Sequence, residues 1–139
     1  MKTCKPSKPK VALAIVFMLL LLATSVIPMD RQITGLQFII DLKPTIQNLL
    51  HIPAYAVLSI IYLQILKNFQ LKRWQKNFWA LLCSVSFGIL NEVIQFAIPG
   101  RFAGVTDLGL NLVGAIIGVI IFNFAAKLKP GLIRRMVCE

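Results

Sequence analysis

The chain has 139 residues, 58% of them hydrophobic and 14% charged, with a net charge of +10 and a mean hydropathy of +0.78. A soluble domain carries about a quarter charged residues, so this is a membrane composition and a water-soluble globular fold is excluded. The basic residues are dispersed between apolar stretches, which argues against a nucleic-acid surface as the source of the high pI.

Four stretches approach the length of about 20 largely apolar residues that a spanning helix needs. The first, residues 11–28, carries no charge and follows Lys2, Lys5, Lys8 and Lys10. With small residues at Ala23 to Ser25 it has the outline of a secretory signal, but its apolar run is long for one, and a retained signal anchor is expected. Residues 29–47 form an outer connection rich in Ile33, Leu36, Phe38, Ile39, Ile40 and Leu42, which suits an interfacial segment better than a solvated loop. Lys43, Pro44 and Thr45 open the approach to the second stretch, with Thr45 a candidate cap.

The second stretch, residues 49–66, contains the only histidine, His51, with Pro53 two residues on. Pro53 either kinks a helix already running past His51 or occupies the first turn of one that starts there. Lys67, Lys72, Arg73 and Lys76 separate it from the third stretch, residues 78–98, which holds Glu92. The fourth, residues 102–126, holds Asp107, and Lys127, Lys129, Arg134 and Arg135 follow it. Each stretch is continuously apolar rather than alternating, so helices are expected and strands are not. The fold class is all-α: a polytopic membrane protein, one domain over residues 1–139, built as a four-transmembrane-helix bundle. The positive-inside rule puts both termini and the middle loop in the cytoplasm, with Trp74 and Trp79 in an interfacial belt there. Cys4 and Cys138 are expected in that reducing compartment and Cys83 in the third span, so no disulfide is expected.

Two of the five acidic residues, Glu92 and Asp107, therefore lie inside apolar spans. Such a charge costs roughly 2.5–3.5 kcal/mol on insertion scales, and anchoring alone does not require it. The topology puts His51, Glu92, Asp107 and Asn111 all toward the outer face, with Arg101 in the outer turn. Helical spacing pairs His51 with Tyr55, Glu92 with Gln95 and Asp107 with Asn111, each pair on one side of its helix. These sides should face the bundle interior, because lipid offers them no partners. Gly114 and Gly118 form a small-xxx-small pair for close helix packing.

The run Gln47-Asn48-Leu49-Leu50-His51-Ile52-Pro53-Ala54-Tyr55-Ala56-Val57-Leu58 resembles the first motif of the VanZ-like membrane proteins. Glu92-x-x-Gln95, Pro99-Gly100-Arg101, Asp107-x-x-x-Asn111 and Gly114-x-x-x-Gly118 resemble the second and third. Where the family often has an acidic residue and a lysine just before the histidine, this chain has Gln47 and Asn48, and Lys43 is a candidate substitute. The resemblance implies a small multi-span protein of the cell envelope, in the plasma membrane. It also implies a link to tolerance of the glycopeptide teicoplanin, and no settled reaction.

The chemistry is argued from the residues. His51 is the expected general acid/base or nucleophile, oriented by Asp107 or Glu92. Arg101 would fork a phosphate or carboxylate, and Tyr55, Gln95 and Asn111 would bind the rest of the substrate. The expected partners are membrane lipids or lipid-linked cell-wall precursors. Plainer roles compete: an interfacial His51 or Tyr55, an ion pair of Glu92 with Arg101, Asp107 in a helix cap, and amide hydrogen bonds between helices. A binder or small transport element is the alternative function, and transport by so small a chain would require a homo-oligomer. His51, Glu92 and Asp107 could in principle form a facial triad, but no short spacing supports a metal, and no metal or cofactor is expected.

Overall fold

The computed structural model describes residues 7–26, 48–98 and 104–128. Of these, 89% are helical and none is in a strand. The four helices are α1 (Lys8–Val26), α2 (His51–Leu66), α3 (Arg73–Phe96) and α4 (Val105–Leu128). Three of them, α1, α3 and α4, are long and apolar enough to cross a membrane. α2 is shorter, with 16 residues.

Cross-helix contacts fix the direction of each helix. His51 meets Asn111 at the start of α2 and α4, and Leu63 meets Val119 further along both. α2 and α4 therefore run parallel. Asn77 near the start of α3 meets Asn123 near the end of α4, so α3 runs the other way. Tyr62 of α2 donates to Met18 Sδ of α1 at 3.3 Å, and Phe17, Met18, Leu21 and Leu22 of α1 cover Tyr55, Leu58 and Phe87. One end of the bundle thus collects the start of α1, the α2–α3 turn and the end of α4, and is called here the basic end. The other holds His51, Gln95 and Asp107.

The polarity is inverted relative to a water-soluble protein. Ser25, Ser59, Ser84, Asn91, Gln95, Asp107 and Asn111 are buried, while Val93, Phe96, Val105, Ile120 and Phe124 are among many large apolar side chains left exposed. Lipid is a good solvent for the latter and a poor one for the former, so this is the arrangement of a membrane protein.

The closest pairing is α2 against α4, and glycine makes it so. A Cβ on Gly118 would fall 2.9 Å from the carbonyl carbon of Ala56. Ser59 Oγ then reaches across to donate to the Ala115 carbonyl at 3.0 Å.

The helix bounds depart from the apolar runs by a few residues, and the starts of α3 and α2 have a visible cause. α3 begins at Arg73 rather than at Phe78, so Arg73 and Lys76, expected in the loop, lie on the helix. The Gln75 side chain accepts the Lys72 backbone N–H at 2.8 Å, which starts the helix ahead of the apolar run. At the head of α2, Asn48 and Leu49 are already helical and the main helix resumes at His51. Pro53 has no N–H to offer the Leu49 carbonyl, and the ladder breaks there. The interfacial segment 29–47, Lys43, Thr45, Arg101, Cys4 and Cys138 lie outside the described residues.

Candidate functional site

The site is assembled from α2, α3 and α4. At the head of α2, His51 Nδ1 lies 2.9 Å from Asn111 Oδ1 of α4. A carboxamide oxygen only accepts, so Nδ1 carries a proton, and in the neutral ring Nε2 is the nitrogen with the free lone pair. One turn further along α2, the Tyr55 ring stacks on the imidazole, with centroids 6.2 Å apart and planes 15° apart. Phe87 of α3 backs Tyr55 at 6.3 Å between centroids.

Gly88 lets α3 close on this pair. A Cβ there would stand 3.1 Å from Asn111 Nδ2 and 3.3 Å from Tyr55 Cε1. Any larger residue would press on the two side chains that hold the imidazole. From Gly88 the inner face of α3 continues through Asn91 to Gln95, all three buried. Glu92 is half-buried on the same helix. On α4, Asp107 and Asn111 are buried one turn apart, followed by Gly114 and Gly118. Asp107 stands in the first turn, where the helix dipole favours an acid.

The interior is rich in unused polar atoms. Among the described residues, Tyr55 OH, Asn91 Oδ1, Gln95 Nε2, Asp107 Oδ1 and Asn111 Nδ2 are buried with no hydrogen-bond partner. Each such group costs about 1–3 kcal/mol. The arrangement offers an imidazole nitrogen, two amide N–H donors, a phenol and a carboxylate oxygen from three neighbouring helices. It can hydrogen-bond a ligand bearing both acceptors and donors.

His51 meets both Asn111 and Tyr55. Gln95 and Asp107 are buried at the same end of the bundle. Among the described residues, His51 hydrogen-bonds neither Asp107 nor Glu92. The group that orients the imidazole is the neutral Asn111 amide, where the sequence pointed to a carboxylate. No three His, Cys, Asp or Glu side chains among the described residues are grouped as a ligand set, so the facial triad of His51, Glu92 and Asp107 is not assembled there. Ser84 and Asn91 are buried polar residues that the sequence reading passed over. The spacing Ser84, Gly88, Asn91, Gln95 was their signal, since it traces one face of α3.

A family model described as VanZ/LLP1 fits residues 7–126 of the chain. Neither the curated proteins nor the solved structures give a match.

Proposed function

The chain belongs to the VanZ/LLP1 family, and on that premise we propose that it acts on a lipid-linked phosphate or an envelope-lipid headgroup at the outer leaflet of the plasma membrane. It would cross the membrane several times with both ends in the cytoplasm, as the distribution of lysine and arginine favours. The observation that carries this reading is the His51–Asn111 hydrogen bond of 2.9 Å inside a cluster of buried polar atoms without partners. A lipid headgroup brings the hydroxyls and phosphate oxygens that would pair with them.

In this reading Asn111 holds Nδ1 and Nε2 acts as the general base or nucleophile. Tyr55 keeps the ring in plane, and Gln95 and Asn111 donate amide N–H groups to substrate oxygens. Asp107 and Glu92 serve as acid/base partners of the substrate rather than of the imidazole. Arg101 would clamp the phosphate. The link to teicoplanin tolerance would follow from an altered pool of envelope lipid or precursor.

One observation favours a second reading. The partner of His51 is a neutral amide, which orients an imidazole without stabilising an imidazolium as a carboxylate would. That suits a binder or transport element, which recognises the headgroup and leaves it intact.

Comparative lipid mass spectrometry separates the two. Cells lacking the gene would carry an empty vector, the protein, or His51→Ala at matched membrane abundance. A lipid pool that changes with the protein and reverts with His51→Ala, followed by turnover of that lipid by pure protein, supports the enzyme. Lipid that binds the pure protein and is recovered unchanged supports the binder. A pool and a teicoplanin tolerance both indifferent to His51 would remove both readings.

A further inference from the structure

At the basic end, the α2–α3 turn, α3 and α4 line an open cleft of about 470 Å³ whose lining includes Lys67, Arg73, Lys76, Phe122 and Asn123. Three cations therefore converge on one space, and none of the residues lining it is acidic. The acidic side chains among the described residues are Glu92 and Asp107. Each is sixteen positions along its helix from a lining residue, Glu92 from Lys76 and Asp107 from Asn123, or about 24 Å at 1.5 Å per residue. Neither can neutralise the cluster.

The cations are held in place by neutral groups. Arg73 donates through Nε to Asn123 Oδ1 at 2.8 Å and through a terminal nitrogen to the Asn123 carbonyl at 3.1 Å. Asn123 is itself fixed, its amide nitrogen donating to Asn77 Oδ1 at 3.1 Å and to the Val119 carbonyl at 2.9 Å. Lys76 Nζ donates to the Lys67 carbonyl at 3.2 Å, which uses one of its three N–H groups. Lys67 Nζ sits 4.7 Å from the centroid of the Phe122 ring. Burial, and then repulsion from Lys10 and Lys76, holds the Lys67 ammonium below the ordinary lysine value. Three crowded cations thus share one cleft with no acidic counter-ion among the described residues.

We propose that this cleft binds the headgroup phosphate of an anionic phospholipid, with Lys67, Arg73 and Lys76 as its cationic wall. Phosphate alone would satisfy the charge. The lipid is favoured because Leu71, Phe122 and Ala126 give the same cleft an apolar side, which suits the root of an acyl chain. Basic pockets between spanning helices hold anionic headgroups in this way. The site lies at the opposite end of the bundle from His51 and does not depend on the chemistry proposed there.

The test uses the full-length protein in zwitterionic detergent and native mass spectrometry. Phosphatidylglycerol, phosphatidylcholine and inorganic phosphate are added in separate arms. One phosphatidylglycerol per chain should stay bound, and phosphatidylcholine should not. The pair Lys67→Gln and Lys76→Gln, which leaves the Arg73–Asn123 contact intact, should weaken binding at least about tenfold. The pair Lys8→Gln and Lys127→Gln removes the same charge from exposed positions of the same end and should change it little. Ala126→Trp keeps every charge but fills the cleft, and should abolish binding even if the lysine pair proves unstable. Equal weakening by the two lysine pairs, undiminished binding to Ala126→Trp, or equal retention of phosphatidylcholine would overturn the proposal. So would displacement of the lipid by inorganic phosphate at matching concentration.

Discussion

Gly114 of α4 touches the main chain of Ile52 in α2: a Cβ on the glycine would stand 3.0 Å from both the Cα and the carbonyl carbon of Ile52. Neither atom can swing away as a side chain would. Gly114→Leu is therefore expected to destabilise the bundle by at least about 1–3 kcal/mol, read as a lower Tm in detergent. It should also separate His51 from Asn111, one turn away. Gly109 on the same helix faces open space, and Gly109→Ala should be neutral or add up to about 1 kcal/mol by favouring the helix. Equal losses at the two glycines would show that the seam does not matter.

The chain has one histidine, so nitrogen NMR of labelled protein reports His51 alone. With Nδ1 donating to Asn111 Oδ1, the neutral ring should be in the Nδ1–H form. Asn111→Leu should erase that preference and lower the lipid or tolerance phenotype while the protein stays folded. A dominant Nε2–H signal would mean that the Asn111 amide faces the ring through its nitrogen, and the proposed base would then be the wrong atom.

Ser59 bridges α2 and α4 by donating to the Ala115 carbonyl at 3.0 Å. Interhelical hydrogen bonds of this kind are worth about 0.6 kcal/mol on average. Ser59→Ala should cost about that much and leave the His51–Asn111 contact unchanged, which unfolding curves and the histidine spectrum would report separately. A loss of function from Ser59→Ala with an intact spectrum would point to a role for the hydroxyl beyond packing.

Lys67 carries a pH dependence. Its folded-state value lies below the ordinary lysine value of 10.5, so the folded protein binds this proton less tightly than the unfolded chain does. The charge therefore costs stability below the folded value, and the cost fades as pH rises through that value toward 10.5. Without added anionic lipid, wild type should gain stability relative to Lys67→Met as pH climbs from neutral into this range. A constant difference in Tm across the range would assign the effect of Lys67 to its contact with Phe122 instead. Phosphatidylglycerol should flatten the dependence, because a bound anion favours the charged form.

The helices were legible because lipid makes a simple demand: a long apolar run and few charges. Their ends were less so. The apolar run of α3 starts near Phe78, but Gln75 and Asn123 stabilise a further turn and a half that hydropathy cannot see. The pairing of His51 with the face of Asn111 followed from helical spacing and from the end of the bundle each occupies. Which group would touch the imidazole did not. Charge suggested Asp107 or Glu92, whereas the contact is set by the rotation of α4 that packs Gly114 and Gly118 against α2, and this rotation points Asn111 at the ring. Asn91 and Ser84 lie on the same face of α3 as Gln95, and only their burial in the bundle sets them apart from polar residues elsewhere on the helix.

The glycine seam has a further consequence for how the sequence can change. Side-chain packing sets the spacing of most protein sites and drifts as cores are repacked. Here the gap between imidazole and amide is gauged at Gly114 by main chain against main chain, where no side chain intervenes. The outward residues of α4, such as Ile116, Ile117 and Ile120, can be exchanged for other apolar residues to match a thicker or thinner bilayer without moving the site. The bundle separates its adaptation to the lipid from the geometry of its chemistry.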